Sequence, residues 1–296
     1  MLRWRLGLGG LLIAALAGVL WLDVHCVPPA AWLFGLVVLV ALAGAQEVIS
    51  LLAAAGLRPL APVIYGGTLL VLASNAVPLF WSNVTDQSPL ERLGWPLLAF
   101  TLSMLAALVG EMWRYRKPGG VMVNVALATF GIAYVGLLLS FSLQLRVLSG
   151  PNEGIVALAA LVIVVKMGDT GAYTTGRLVG RHKMAPSISP GKTIEGGAGA
   201  LAFACLGAWF SFHVLPQWIN GTPLQQHPQS WLLFGMVVGG AGLIGDLAES
   251  MFKRDVGSKD SSNWLPGFGG VLDLLDSILF AAPFAYACWL LGHVWQ

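Results

Sequence analysis

Long apolar runs, separated by short polar segments, make up most of this chain. A helix needs about 20 mostly apolar residues to cross the hydrocarbon layer of a membrane. Runs of this kind predict about nine spans, near residues 6–22, 31–55, 61–80, 95–113, 121–146, 153–168, 197–215, 231–250 and 271–294. The pattern therefore predicts an all-α polytopic membrane protein.

Composition supports the same interpretation, because 57% of the 296 residues are hydrophobic and only 10% are charged. A soluble globular domain carries roughly 25% charged residues, so this chain has too few charges to cover the surface of a water-soluble fold. Cys26, Cys205 and Cys288 are scattered through apolar stretches, which argues against a disulfide framework. No soluble linker divides the chain, and we expect one membrane domain over residues 1–296.

The distribution of cations predicts the orientation in the membrane. Arg3 and Arg5 precede the first apolar run and no small-x-small cleavage site follows it closely, so we expect a retained signal anchor. With a cytoplasmic amino terminus, only Arg92 and Arg146 lie on the far side. The cytoplasmic cations outside the two polar segments are then Arg3, Arg5, Arg58, Arg114, Arg116 and Lys117. Because cytoplasmic loops carry an excess of Lys and Arg, we expect this orientation, with both polar segments at the cytoplasmic face of the inner membrane.

The first polar segment, residues 166–197, combines glycines, hydroxyls and cations. Its candidate binding residues are Asp169, Arg177, Ser189, Lys192 and Thr193. Glycine lets backbone amides approach an anion closely while Arg and Lys neutralise it, so phosphate is the natural ligand. Residues 189–193 do not form a Walker A loop, because the leading glycines and the preceding strand are missing. The alternative is a polybasic loop that holds anionic lipid headgroups; Asp169 favours a more specific site.

The second polar segment begins at the end of the eighth predicted helix. If that helix continues, Asp246, Glu249, Ser250 and Lys253 share one face, since they stand at i, i+3, i+4 and i+7. A loop of polar residues and glycines follows, over residues 256–270.

The last predicted span opens with Asp273 and Asp276, again one helical turn apart. Carboxylates in an apolar helix are costly unless they are paired or bind a metal. Oxygen ligands of this kind suit Mg²⁺, and we expect Asp246, Asp273 and Asp276 to hold it. The alternative is internal salt bridging, for example between Asp273 and Lys253 or Arg254.

Both segments carry motifs of a known family. The second reads Ser250-x-x-Lys253-Arg254, then Lys259-Asp260, then Pro266-Gly267-x-Gly269-Gly270-x-x-Asp273-x-x-Asp276. The first has Asp-x-x-Ala-Tyr from Asp169, followed by Gly-Arg, Ser-Pro-x-Lys-Thr and Glu-Gly. In this order the motifs resemble the signature of CDP-diacylglycerol synthases (phosphatidate cytidylyltransferases). The resemblance is clearest from about Lys166 to Phe280, and Glu47 in the second span is a further candidate member of the pattern.

The resemblance implies a nucleotidyltransferase that joins CTP to phosphatidic acid, giving CDP-diacylglycerol and pyrophosphate in phospholipid biosynthesis. It implies a catalytic half at about 166–280 and an N-terminal helical bundle at about 1–150. The expected catalytic residues are Lys253, Arg254, Lys259 and Asp260. Those expected to bind nucleotide or lipid phosphate are Asp169, Arg177, Ser189, Lys192, Thr193 and Ser250. The expected partners are CTP, phosphatidic acid and the lipid bilayer; no nucleic acid is expected.

Two positions depart from the family pattern. The family usually has His before the Gly-Gly pair, where this chain has Phe268, and Asp-Arg-x-Asp where this chain has Leu274 after Asp273. These departures leave open an altered substrate, slower chemistry, or a silent lipid-binding paralogue. A CTP-dependent polyprenol or dolichol-type lipid kinase is the related enzyme alternative, because it also combines CTP, magnesium and a membrane-embedded acceptor.

Two non-catalytic features bear on assembly and class. Gly235-x-x-x-Gly239 permits close helix packing, either within the bundle, which we favour, or in a homodimer. A transporter is disfavoured, because such proteins generally show internal repeats with broken helices at the membrane midplane, and the chain shows no such repeat.

Overall fold

The computed structural model describes residues 2–25, 30–80, 88–148, 151–220, 229–258, 260–262, 264 and 269–292. The chain divides into two compact units. Unit 1 comprises Met1–Gln144 and Val256–Leu274, and unit 2 comprises Leu145–Asp255 and Leu275–Gln296. The segment after residue 255 thus packs with the N-terminal helices, although it follows the helices of unit 2 in the sequence.

Unit 1 is built from helices. They are α1 (Leu2–His25), α2 (Ala31–Ala54), α3 (Ala61–Ser74), α4 (Val77–Phe80), α5 (Pro89–Arg92), α6 (Gly94–Arg114), α7 (Val121–Gly131) and α8 (Leu138–Val147), whose last three residues belong to unit 2. A π-helical segment, Ile132–Leu137, joins α7 to α8. Its Gly136 lies so close to α3 that an added Cβ would be 3.2 Å from the Thr68 Cα, so this glycine allows the two helices to touch.

Helix α3 ends after 14 residues because of a polar side chain. The Asn75 amide nitrogen donates to the carbonyl oxygens of Val71 at 2.9 Å and Leu72 at 3.1 Å, which occupies carbonyls at the end of the helix. The same amide donates to the Ser140 hydroxyl at 3.0 Å, and Gln144 donates to the Asn75 oxygen at 2.8 Å. This buried network satisfies the polar groups and joins α3 to α8 within unit 1.

Unit 2 contains five helices and a β-hairpin among its described residues. They are α9 (Pro151–Val179), β1 (Lys183–Ala185), β2 (Ser189–Thr193), α10 (Ile194–His213), α11 (Leu215–Asn220), α12 (Ser230–Asp255) and α13 (Val271–Leu290), of which the first four residues belong to unit 1. The strands are antiparallel, with Lys183 opposite Thr193 and Ala185 opposite Ser189. The first polar segment therefore forms the end of α9, the hairpin and the start of α10.

Glycines allow α10 to pack closely against both α9 and α12. A Cβ at Gly171 would lie 2.5 Å from the Gly199 carbonyl oxygen, and one at Gly235 would lie 2.6 Å from the Cys205 Cα. Gly239 likewise meets Ala204. The Gly235-x-x-x-Gly239 stripe is thus used inside the chain, as favoured from the sequence.

Seven helices among the described residues are long and apolar enough to cross a membrane. Their bounds are Ala31–Ala54, Pro89–Arg114, Val121–Val147, Asn152–Val179, Ile194–Ile219, Ser230–Asp255 and Val271–Leu290. Two shorter apolar helices, Ala14–Asp23 and Ala61–Ser74, coincide with the predicted first and third spans. The chain is therefore an all-α polytopic integral membrane protein, as the sequence predicts.

Candidate active site

A cleft of about 570 Å³ lies in unit 2 between α9, the hairpin, α10 and α12. The polar and charged residues that line it are Asp169, Tyr173, Arg177, Ser189, Lys192, Thr193 and Asp246. Val165, Ala200 and Leu243 add apolar surface, and glycines form much of the remaining lining. All five residues predicted for the first segment therefore reach one cavity, and they are joined there by Asp246 of the second.

Lys192 and Asp246 make the direct link between the two polar segments. The Lys192 ammonium, on β2, lies 2.8 Å from a carboxylate oxygen of Asp246, on α12. The Ser250 hydroxyl donates to the other Asp246 oxygen at 3.5 Å from the next turn of α12. Helix α12 continues to Asp255, which is the condition under which the sequence predicts that Asp246, Ser250 and Lys253 share a face. It presents Asp246 to the cleft.

Asp169 stands on the α9 wall of the cleft. It forms an ion pair with Lys166 at 3.0 Å and accepts from the Ser277 hydroxyl at 3.5 Å. Asp276, one position earlier on α13, is buried and interacts electrostatically with Asp246, Lys166 and Asp169. Three acids and two lysines of unit 2 therefore form one charged cluster. Its members are Asp169, Asp246, Asp276, Lys166 and Lys192.

Close packing of α12 on α13 brings Asp276 to this cluster. An added Cβ at Gly245 would lie 2.7 Å from the Asp276 carbonyl oxygen and 3.2 Å from the Ser277 Cα. Only glycine fits there without moving a backbone. Gly245 immediately precedes Asp246 in the sequence, so the same close approach positions both acids.

Thr193 and Arg177 have partners within the cleft wall. The Thr193 hydroxyl caps α10, because it accepts from the Gly196 amide at 3.1 Å. Arg177 donates to the Tyr173 hydroxyl at 2.7 Å, one turn away on α9. Both arginine and tyrosine are exposed, so this pair offers a cation and an aromatic ring at the cleft.

Three of the residues expected to be catalytic from the family resemblance are cations of the second segment, Lys253, Arg254 and Lys259. Lys253 is buried and paired with Glu249, and Arg254 donates to the Ile188 carbonyl at 3.3 Å, on the hairpin turn. Neither is among the described residues that line the cleft. Lys259 lies outside the described residues, as does Phe268. Their predicted roles stay predictions.

Asp260 and Asp273 belong to unit 1. Asp260 is exposed, and its carbonyl accepts from the Ser258 hydroxyl at 2.8 Å. One Asp273 oxygen accepts from the Gly270 amide at 2.7 Å, from the Ser261 amide at 3.0 Å and from the Ser261 hydroxyl at 2.6 Å. Asp273 therefore caps the first turn of α13, and its predicted role as a magnesium ligand stays a prediction.

Glu47 of α2 accepts four hydrogen bonds from described residues of unit 1. Its carboxylate accepts from the Val271 amide at 2.8 Å, the Leu272 amide at 2.7 Å, the Ser261 hydroxyl at 2.9 Å and the Ser262 hydroxyl at 2.7 Å. The two serines carry no sequence signal that would have identified them. The sequence places Glu249 on the shared face of α12 and Tyr173 in the first motif but assigns neither a role; each lies four residues before a predicted site residue, Lys253 and Arg177.

The acids of unit 2 suit a hard cation in their chemistry. Among the described residues no group of three His, Cys, Asp or Glu side chains is close enough to hold a metal ion. Magnesium, however, is usually bound by one or two carboxylates, with water and substrate phosphates completing its shell. Asp246 and Asp276 supply carboxylates of this kind in one charged cluster, so they fit such a site.

Comparison with known proteins agrees with this chemistry. The model of the cytidylyltransferase family matches residues 5–291. The phosphatidate cytidylyltransferase of Staphylococcus aureus (strain COL) is 36% identical over 220 residues, 74% of this chain and 74% of that protein. That of Haemophilus influenzae is 40% identical over 134 residues, 45% of this chain and about half, 46%, of that protein. This chain belongs to the cytidylyltransferase family.

Proposed function

We propose that this chain is a phosphatidate cytidylyltransferase, a nucleotidyltransferase that transfers CMP from CTP to phosphatidic acid and releases pyrophosphate. The observation that carries the proposal is the 2.8 Å contact of Lys192 with Asp246, since it unites both polar segments in one cleft. The relatives that bear this enzyme name support the choice of substrates.

The chemistry asks mainly for charge neutralisation and alignment, because both reactants are anions. A phosphate oxygen of the lipid attacks the α-phosphorus of CTP, a new P–O bond forms, and the bond to pyrophosphate breaks. Lys192 and Arg177 face the cleft and would neutralise the phosphates, with the guanidinium able to bind two oxygens at once. The lipid phosphate is already ionised near neutral pH, so no general base is required.

We assign magnesium to Asp246 and Asp276, where it would neutralise charge on the nucleotide phosphates. Asp169 is the third acid of the cluster, and its pairing with Lys166 keeps that lysine beside the two ligands. Asp273 is retained as a candidate ligand from the sequence. One of its oxygens accepts hydrogen bonds from Ser261 and Gly270. Activity measurements on Asp273→Asn would test the assignment.

The lining of the cleft also suits the lipid substrate. Val165, Ala200 and Leu243 lie beside the cations and hydroxyls in the same cavity. A substrate with a phosphate and acyl chains needs both kinds of surface. The cleft is built by α9, α10 and α12, each of which lies in a candidate membrane span. The phosphate of phosphatidic acid would therefore reach the cleft while its acyl chains stay in the bilayer.

We further propose that the amino terminus and the cleft face the cytoplasm, where CTP is made, in the inner membrane. This orientation follows from the excess of Lys and Arg on that side. The proposed topology has nine spans, made of the seven long apolar helices together with α1 and α3. A homodimer is also proposed from the sequence. The Gly235-x-x-x-Gly239 stripe would not form its interface, because α10 of the same chain covers this stripe.

The deciding experiment measures pyrophosphate release by purified, detergent-solubilised protein given CTP, phosphatidic acid and magnesium. Release that needs all three, together with CDP-diacylglycerol formation, would establish the activity. Release of CDP with a polyprenol acceptor would instead favour the lipid kinase. If folded protein gave neither product, the departures at Phe268 and Leu274 would favour a silent paralogue.

A further inference from the structure

Glu47 lies within the apolar membrane helix α2, about two turns before its end, and its charge is costly there. The α2 helix has one acidic residue in 24, and the Glu47 side chain is 2% exposed. An intramembrane carboxylate of this kind needs strong partners or a function. Its partners define what it does.

Among the described residues, the donors to the Glu47 carboxylate come from a short segment more than 210 residues later. The donors are the Ser261 and Ser262 hydroxyls and the Val271 and Leu272 amides. Val271 and Leu272 are the first two residues of α13, whose amides have no partner within their own helix. A carboxylate at this end also interacts favourably with the helix dipole. Glu47 therefore acts as the amino-terminal cap of α13, supplied from α2.

The local sequence of the segment is built around this carboxylate. A Cβ at Gly270 would collide with Glu47 and with the Ser261 hydroxyl, and Gly269 adopts a φ of +93°. Larger residues would push the chain away from Glu47 at the first site and would strain the backbone at the second. The two glycines of the signature thus allow the chain to turn tightly onto Glu47.

Ser261 connects this cap to a residue of the family signature. Its hydroxyl lies 2.9 Å from a Glu47 oxygen and 2.6 Å from an Asp273 oxygen, and its amide donates to the same Asp273 oxygen. A hydroxyl has one proton and can donate to only one of the two carboxylates at a time. The orientation of Asp273 is consequently tied to that of Glu47 through one side chain. Asp276 follows one turn later on the same helix.

We propose that Glu47 is a positioning residue for the transfer reaction, because it fixes the start of α13 and, through Ser261, the Asp273 carboxylate. The effect of Glu47 on catalysis rests on the proposed function. The contact of Glu47 with the start of α13 does not depend on that function. Groups that orient the ligands of a metal commonly contribute about 10- to 100-fold to metal affinity or activity, and Asp273 is a candidate ligand. Glu47 needs no contact with substrate to have this effect.

The test compares Glu47→Gln with Glu111→Gln in the full-length protein. Glu111 is also a buried acid of unit 1, but its partners are Asn124 at 3.2 Å and Arg114 at 3.5 Å. Gln keeps the shape of Glu47, yet its NH₂ group faces donors and cannot accept from them. We expect kcat to fall about 10- to 100-fold in Glu47→Gln, with KM for CTP little changed, and no such loss in Glu111→Gln.

Hydrogen exchange of the peptide covering residues 256–274 supplies the second readout. We expect faster exchange there in Glu47→Gln and unchanged exchange in Glu111→Gln, since only the first loses bonds to Val271 and Leu272. Normal kcat in Glu47→Gln, or lost activity with unchanged exchange in this peptide, would overturn the proposal. If Glu47→Gln does not fold, Ser262→Ala removes one donor to the same carboxylate and must show the same pattern with a smaller amplitude.

The two proposals can fail separately. If the wild-type protein formed no CDP-diacylglycerol, the proposed function would fail. Exchange in residues 256–274 would still decide whether Glu47 anchors α13, because that measurement does not depend on turnover.

Discussion

The Lys192 ammonium lies 2.8 Å from the Asp246 carboxylate, across the cleft between the hairpin and α12. Each residue comes from a different polar segment, and each is assigned a separate task with substrate, phosphate neutralisation for Lys192 and metal binding for Asp246. Their pairing compensates both charges in the partly buried cleft, where an unpaired charge would be costly. CTP and magnesium together would replace this ion pair with phosphate–lysine and metal–carboxylate contacts.

The first prediction concerns the acids of the cluster. Asp246→Asn and Asp276→Asn should each lower kcat by at least about 100-fold, because a neutral amide is a weaker ligand than a carboxylate for Mg²⁺, and the positive charge that the metal would place beside the phosphates is then lost. The measurement is pyrophosphate release, with size-exclusion chromatography in detergent to show that the variants fold. Asp255→Asn is the matched control, since Asp255 ends α12, the helix that carries Asp246, and is exposed outside the cleft lining. Full activity in either cluster variant would remove that residue from the magnesium assignment.

The second prediction concerns Lys192. Lys192→Gln should lower kcat/KM for CTP by about 10- to 100-fold, since a hydrogen bond to a charged group contributes about 1.5–3 kcal/mol. Most of the change should appear in KM if the lysine holds the nucleotide before reaction as well as during it. Lys183→Gln is the control, because Lys183 is exposed on the neighbouring strand, opposite Thr193. Equal effects of the two substitutions would indicate a general loss of positive charge and not a specific site.

The sequence predicts the helices well, and the residues that it singles out in the first polar segment all line the cleft. Both outcomes have a physical reason. Apolar runs are long enough to be recognised locally, and Asp246 and Ser250 interact at a helical spacing that the sequence itself displays. The pairing of Lys192 with Asp246 depends on tertiary packing. It could be expected only from the family resemblance, which places both segments in one site.

Other features could not be read from the sequence. The end of α3 depends on Asn75 bonding to Ser140, 65 residues later, so the apolar run near 61–80 looked like one uninterrupted span. The cap of α13 by Glu47 joins residues 214–225 positions apart. No local pattern encodes such a contact. The catalytic role expected for Lys253 comes from the family resemblance and stays a prediction. Its burial against Glu249 depends on how α12 packs, which the local sequence does not show.

The third prediction concerns the packing of α12 on α10. Gly235→Ala should destabilise the protein by about 1–3 kcal/mol, because the added Cβ would lie 2.6 Å from the Cys205 Cα and one backbone must shift. Gly240→Ala is the control on the same helix. Its Cβ would meet only the Leu201 Cδ2, at 3.9 Å, so a gain of about 0.5–1 kcal/mol in helix stability is expected. Thermal unfolding in detergent measures both, and a Gly235→Ala protein as stable as Gly240→Ala would contradict the close contact.

The fourth prediction concerns orientation. Single-cysteine variants, made after replacing Cys26, Cys205 and Cys288 with Ala, should react with a membrane-impermeant maleimide from opposite sides. Leu90→Cys, on exposed α5, should be labelled in intact cells, whereas Lys117→Cys, in the exposed link between α6 and α7, should be labelled only after the membrane is opened. Leu90 lies in the first turn of the single span Pro89–Arg114 and Lys117 lies just beyond its other end, so each serves as the internal control of the other. The reverse labelling pattern would place the amino terminus outside. With nine spans, the reverse pattern would also place the cleft on the side of the membrane away from CTP. That result would contradict the proposed orientation and, with it, CTP as the substrate.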